Sequence, residues 1–132
     1  MIQKALPHLK KAPSASISLF STVAVQTGMP LHASIAASKG AIKGITRSLA
    51  AELAPQIRVN AIAPSLTDTP LVQAILSNDA KREAAAERHP LKRTATSEEL
   101  ANLTCYLLNE ESASLTGQIL HPDNGLSSIK FF

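Results

Sequence analysis

Aromatic residues are almost missing from this chain. Of 132 residues, 3% are aromatic: Phe20, Tyr106, Phe131 and Phe132, with no tryptophan. The core must therefore be aliphatic, and a base-stacking platform for single-stranded nucleic acid is excluded. One cysteine, Cys105, leaves no disulfide framework and no cysteine-based zinc site. Its apolar neighbours in sequence place it on a buried helix face rather than in the role of a nucleophile. The four histidines, His8, His32, His89 and His121, have no metal-ligand spacing. The five glycines, Gly28, Gly40, Gly44, Gly117 and Gly125, never cluster into a G-x-G-x-x-G phosphate loop. No run reaches the roughly 18 apolar residues of a membrane span. Met1–Lys11 lacks the apolar stretch of a signal peptide, which points to a cytoplasmic protein.

What remains is ordinary in amount. The chain is 45% hydrophobic and carries a net charge of +3. Its basic residues are scattered, with no run longer than two, so they read as a solvated face and neither a nucleic-acid nor a membrane partner is expected. The length suits one domain, residues 1–132, that buries roughly two thirds of its unfolded surface.

The spacing of apolar residues predicts the element order α-β-α-β-(αα)-α-β. Met1–Lys11 reads as a short helix that Pro7 kinks or ends. Ala12–Ser16 is a connector, Ile17–Ser21 a strand and Thr22–His32 a loop. Ala33–Leu53 is the strongest helix. Its bulky positions are Ile35, Ile42, Ile45, Leu49 and Leu53, and its small ones are Ala37, Gly40, Ala41, Gly44, Ser48 and Ala51. Gly40 and Gly44 each cost about 1 kcal/mol of helix propensity, so a sheet or a second subunit is expected to approach there. Ile57–Ile62 is a strand that Pro64 ends. Asp68–Leu76 and Asn78–Arg88 read as two short helices or one helical excursion, with His89-Pro90 as a breaker. Thr96 and Glu99 form a capping box for a helix carrying Leu100, Leu103, Leu107 and Leu108. Ile119–His121 is the last strand and 122–132 a tail. Strands separated by helices predict an α/β fold with a three-stranded parallel sheet flanked by helices.

Four segments, in order, carry a family likeness. They are Ile17–Ala24, His32–Ala41 with Lys39, Ile57–Pro64, and the closing Thr116-Gly117-Gln118 with Asp123-Asn124-Gly125. Together they resemble the short-chain dehydrogenase/reductase family, over essentially the whole chain and over only the C-terminal half of a Rossmann-fold member. The resemblance implies an NAD- or NADP-dependent oxidoreductase. The family's glycine-rich half and its active-site Asn have no counterpart in these residues, which leaves two expectations, NAD or NADP by resemblance or no cofactor in this chain alone.

In that family a Ser positions the substrate oxygen, a Tyr exchanges its proton, and a Lys four residues on lowers the Tyr pKa and holds the cofactor ribose. Positions i and i+4 share a helix face, which puts an ammonium beside the phenol. By this resemblance Thr22 stands at the Ser position, with Ser21 beside it, and Lys39 at the Lys position. The Tyr position is Ile35, which has no proton to give. Losing a positioned acid–base group costs a factor of about 10² to 10⁴. His32 reads either as a substitute acid or as a cap residue, and Lys39 as a surface lysine should no cofactor bind. Pro64 and Thr69 match the loop that binds the nicotinamide carboxamide, with Ser65 where the family has Gly. Asn60 reads as structural, and Tyr106 matches no motif. Asn124 replaces a family Gly in a turn that Asn tolerates.

Three functions follow. The first is a divergent oxidoreductase with little or no activity as this chain. The second is a non-catalytic module that pairs with itself or with a full-length relative through helix 33–53, as a dimer or tetramer. The third is an enzyme using Thr22, His32 and Lys39.

Overall fold

The computed structural model describes residues 1–130. Phe131 and Phe132, the end of the expected tail, lie outside the described residues.

The centre is a parallel sheet of β1 (Ala15–Phe20), β2 (Ile57–Ile62) and β5 (Ile119–Leu120), ordered β1-β2-β5. Alternation along the strands sorts side chains to two faces. On one face Ala15, Ile17 and Leu19 join Ile57 and Val59 against Leu49, Ala50 and Leu53 of α3 (Ala33–Leu53) and Leu6 and Leu9 of α1 (Ile2–Leu9). The opposite face meets α5 (Ser97–Leu108). There the Ser16 hydroxyl donates to the Leu107 carbonyl at 2.8 Å, and the Arg58 guanidinium donates to Leu107, Asn109 and Ser112. Helices therefore cover both faces, as a parallel sheet requires.

The predicted α/β fold and its three parallel strands are present. Several finer expectations need correction. β1 begins at Ala15, inside the expected connector, because Ala15–Phe20 pairs in register with Ile57–Ile62. Pro7 does not end α1, which runs two residues further to Leu9. The expected loop after β1 holds a helical turn, α2 (Ala24–Thr27). Asp68–Leu76 is not a helix. Thr67–Asp68 forms β3, which pairs in parallel with β4 (Ala95–Thr96), and only Pro70–Val72 coils, as a 3₁₀ turn. α4 (Asp79–Glu87) follows, capped by the Asn78 side chain, which accepts from the Lys81 N–H at 2.9 Å. The last strand stops at Leu120, short of His121.

Two helices bury a different stripe from the expected one. In α5 the inner stripe is Leu100, Leu103, Thr104 and Leu107. Cys105 and Leu108 lie off it and are exposed, so Cys105 is not a core residue. In α3 the buried residues are Lys43, Thr46, Ala50 and Leu53, while Ile35 and Ile45 are exposed. No sheet approaches Gly44, which has nothing within 4 Å of a would-be Cβ.

The capping box at α5 is present. Thr96 Oγ1 accepts from the Glu99 N–H at 3.2 Å, and the Glu99 carboxylate accepts from the Thr96 N–H at 2.9 Å. Arg93, bidentate on Glu99, and then the Thr96 N–H hold that carboxyl down to about 2.

Candidate functional site

Beyond the C-terminal end of β2 lies a cavity of about 570 Å³. Three connections build it. The chain after β1 contributes Thr22, Val23, Met29 and His32; the chain after β2 contributes Pro64, Ser65, Thr67 and Thr69; and the end of α4 contributes Arg88 and His89. Ligands of open α/β sheets bind outside the carboxyl ends of the strands. Apolar side chains complete the wall, among them Val72, Ile75, Leu100 and Leu126.

The fold thus brings Thr22, His32, Pro64 and Thr69 to one cavity. Thr22 follows β1, where its Oγ1 accepts from the Ala24 N–H at 3.3 Å as α2 begins. A hydroxyl that accepts there keeps its own proton to donate. The neighbouring Ser21 is buried, and its hydroxyl donates to the Lys39 carbonyl at 2.9 Å. That bond ties the end of β1 to α3. His32 sits at the N-cap position of α3, with Nδ1 donating to the Pro30 carbonyl at 2.7 Å. Lys39 reaches back from α3 and donates from Nζ to the Phe20 carbonyl at 3.0 Å. Ile35, one turn before it, is 42% exposed. Tyr106, the single tyrosine of the chain, stands partly exposed on α5 and does not line the cavity.

Asn60 and the closing turn hold the frame. Asn60 is fully buried. Its Nδ2 donates to the Leu115 carbonyl at 2.9 Å and its Oδ1 accepts from the Gln118 N–H at 3.0 Å. Asp123, also buried, accepts from the N–H groups of Gly125 and Ser127 and from the Ser127 hydroxyl. Asn124 does adopt the left-handed backbone, at φ 54°. Gly125 is required beside it, since its φ is +89° and a Cβ there would meet Pro90 Cγ at 3.0 Å.

Lys43 is a buried cation that the sequence did not single out. It lies one turn after Lys39 on the inward stripe of α3, and its Nζ stands 3.2 Å from His121 Nε2. An ammonium only donates, so Nε2 accepts and the imidazole is neutral. Burial, then the nearby Arg47, pushes the Lys43 amine down. Burial, then Lys43, pushes the His121 imidazole down as well.

Sequence reasoning also missed His89 as part of the site. Read as a helix breaker, it is instead 2% exposed, with Nδ1 at 2.9 Å from the Ala85 carbonyl and Nε2 at 3.0 Å from Ser65 Oγ. The replacement of Gly by Ser at position 65 was the one visible signal.

The fold is that of a Rossmann-like α/β protein, and comparison with known proteins gives the family. Residues 1–127 match the family model described as Enoyl-(Acyl carrier protein) reductase, and the chain belongs to the short-chain dehydrogenase/reductase family of oxidoreductases. It is 40% identical to a tropinone reductase homolog of Datura stramonium over 129 residues, which are 95% of this chain and 48% of that protein. It is 38% identical to a 3-oxoacyl-(acyl-carrier-protein) reductase of Thermotoga maritima over 125 residues, 94% of this chain and 50% of that one. Among solved structures it superposes on a gluconate 5-dehydrogenase from Burkholderia cenocepacia, crystallised with NADP and tartrate. That match has a TM-score of 0.87 and 28% identity, over 97% of this chain and 51% of the other. The chain spans about half the length of the curated relatives it matches.

The family implies NAD or NADP, and the residues here fit one end of it. The cavity has the hydroxyls of Thr22 and Thr69 and room for a nicotinamide ring. The pyrophosphate finds no cradle among the described residues. That group needs a glycine-rich turn opening a helix, and α3 opens at His32 with no side-chain cap bond. Among the described residues no three His, Cys, Asp or Glu side chains could hold a metal ion, and no helix is long and apolar enough to cross a membrane.

Proposed function

We propose that this chain is the C-terminal half of a short-chain dehydrogenase/reductase. It presents the nicotinamide end of an NAD(P) site and has little or no dehydrogenase turnover on its own. One observation carries the reading: Ile35 occupies the place, four residues before Lys39, where a proton donor is needed. When bound, the cofactor would supply or accept the hydride. Thr22 would hold the substrate oxygen by its free hydroxyl proton, Lys39 would hold the ribose, and Pro64 and Thr69 would seat the carboxamide. Ile35 cannot then give the alkoxide its proton. His32 lines the cavity from that end, with its Nδ1–H engaged by the Pro30 carbonyl. The cytoplasm is the compartment proposed, since an exposed free thiol such as Cys105 persists where thiols are kept reduced.

Titration with NADH and NADPH, followed by fluorescence of the reduced nicotinamide, tests this. No saturable binding at micromolar cofactor and no carbonyl reduction are expected. Micromolar binding with turnover that His32→Ala abolishes would overturn the reading in favour of Thr22, His32 and Lys39 as a catalytic set.

Self-association through α3 is part of the same proposal. Ala37, Ala41, Gly44, Ile45 and Ser48 form an exposed stripe of small residues around one isoleucine, the composition that lets helices approach closely. Ile45→Glu is expected to convert a dimer or tetramer to monomer by light scattering, with the thermal midpoint of the monomer unchanged. A monomer before the substitution would refute it.

A further inference from the structure

We propose that Ser65 and His89 form a nucleophile–base pair for acyl transfer, acting on carboxylic esters of apolar acids in the 570 Å³ cavity that both residues line. This goes beyond the oxidoreductase reading and does not depend on it.

The hydrogen bonds fix the roles. A carbonyl oxygen only accepts, so the Ala85 carbonyl at 2.9 Å requires the proton on His89 Nδ1. Nε2 is then the lone-pair nitrogen, and it faces Ser65 Oγ at 3.0 Å. The hydroxyl therefore donates to the imidazole. A nucleophile, a base within hydrogen-bond reach, and a third group that orients the base are the parts this chemistry needs. Here a main-chain carbonyl is the third group. The imidazole is locked twice over, because His89 is 2% exposed and lies just past the Arg88 cap of α4. Ser65 sits between Pro64, whose carbonyl accepts from the Val23 N–H at 2.9 Å, and Thr67, whose hydroxyl donates to the Ser65 carbonyl at 3.1 Å. Both sides of the nucleophile are therefore held.

The walls select the substrate. Val72, Ile75, Leu100 and Leu126 suit an aliphatic acyl chain. The Thr22 hydroxyl proton and the Arg88 guanidinium, both on the cavity wall, are donors for a developing oxyanion.

The step balances without a further reactant except water. Ser65 Oγ bonds to the acyl carbon as its proton passes to His89 Nε2. The tetrahedral intermediate collapses, the bond from the acyl carbon to the leaving oxygen breaks, and the alcohol departs with the proton from Nε2. Water then attacks the acyl-serine and gives a proton to Nε2, which returns it to Ser65 Oγ as the carboxylic acid leaves.

The test uses p-nitrophenyl hexanoate and a fluorophosphonate probe on the full chain. Hydrolysis above the buffer rate is expected, with one phosphonylated residue, Ser65, found by peptide mass spectrometry. Ser65→Gly restores the family residue and is expected to abolish both. His89→Asn keeps a side-chain donor toward the Ala85 carbonyl and is expected to slow both by about 10² to 10⁴. Circular dichroism of the two variants checks that they fold. Three outcomes overturn the proposal: no hydrolysis and no label in the unmodified chain, a label on another residue, or hydrolysis unchanged in folded Ser65→Gly.

Discussion

Asn60→Ala is expected to lower the stability of this domain by about 2–4 kcal/mol, the cost of stranding two backbone groups whose partner is removed. Asn60 is fully buried in β2 and bonds the Leu115 carbonyl and the Gln118 N–H at once. Those two residues flank the Thr116-Gly117 turn that leads into β5. β5 is only two residues long and pairs through Ala61↔Ile119 and Ile62↔Leu120. It has few other ties, including the Ala61 N–H to the Gln118 carbonyl at 2.9 Å and the Ala63 N–H to the Leu120 carbonyl at 2.7 Å. Removing the amide therefore loosens a whole strand and the Asp123–Ser127 turn behind it. Asn60→Asp supplies a control with a pH signature. The carboxylate keeps the acceptor for Gln118 but faces the Leu115 carbonyl with a lone pair, and protonation restores a donor. Its folded-state pKa is thus raised, so its deficit is expected to shrink as pH falls toward the ordinary Asp value of about 3.9. Urea unfolding at pH 7 and pH 4 measures both effects. An unchanged midpoint in Asn60→Ala would show that Asn60 holds nothing together.

Ile57→Ala is expected to cost about 2–5 kcal/mol, the range for emptying a packed aliphatic site. Ile57 is 1% exposed and meets Leu53, Ala50 and Val59, with Leu6 and Leu9 of α1 over them. Among the described residues this core has no aromatic side chain to settle into the space. Against a total of about 5–15 kcal/mol for a domain, the loss is a large share. Ile45→Ala provides the comparison, because the same side chain is removed from an exposed position. Its expected effect on the monomer is within about 0.5 kcal/mol. Equal losses in the two variants, read by denaturant titration, would mean that the buried stripe of α3 has been misassigned.

The placement of Lys43 explains why α3 was legible as a helix while its buried stripe was not. Its 21 residues are set by local spacing and by Pro55 just beyond Leu53. The face it buries is set by the sheet beneath it. The sheet takes Thr46, Ala50 and Leu53 and, at one turn, a lysine, to which His121, just past β5, offers an acceptor. No pattern on α3 encodes a partner 78 residues away. Cys105 went astray for a related reason. The apolar run of α5 is wider than the stripe that β1 can cover, and the fold chose Leu100, Leu103, Thr104 and Leu107.

The sequence by itself determined the order of the longer helices and of the three central strands, the parallel pairing of those strands, the capping box at Thr96 and Glu99, and the isoleucine at position 35. These are properties of periodicity, of local hydrogen bonding or of one residue's chemistry, and each can be read within a few turns of chain. Only the tertiary structure decided which helix stripes are buried, that Thr67–Asp68 and Ala95–Thr96 pair, and that Ser65 meets His89 across 24 residues. Those contacts arise where separate connections converge beyond the end of one sheet. Their distances follow from how the layers pack, and no local pattern along the chain records that.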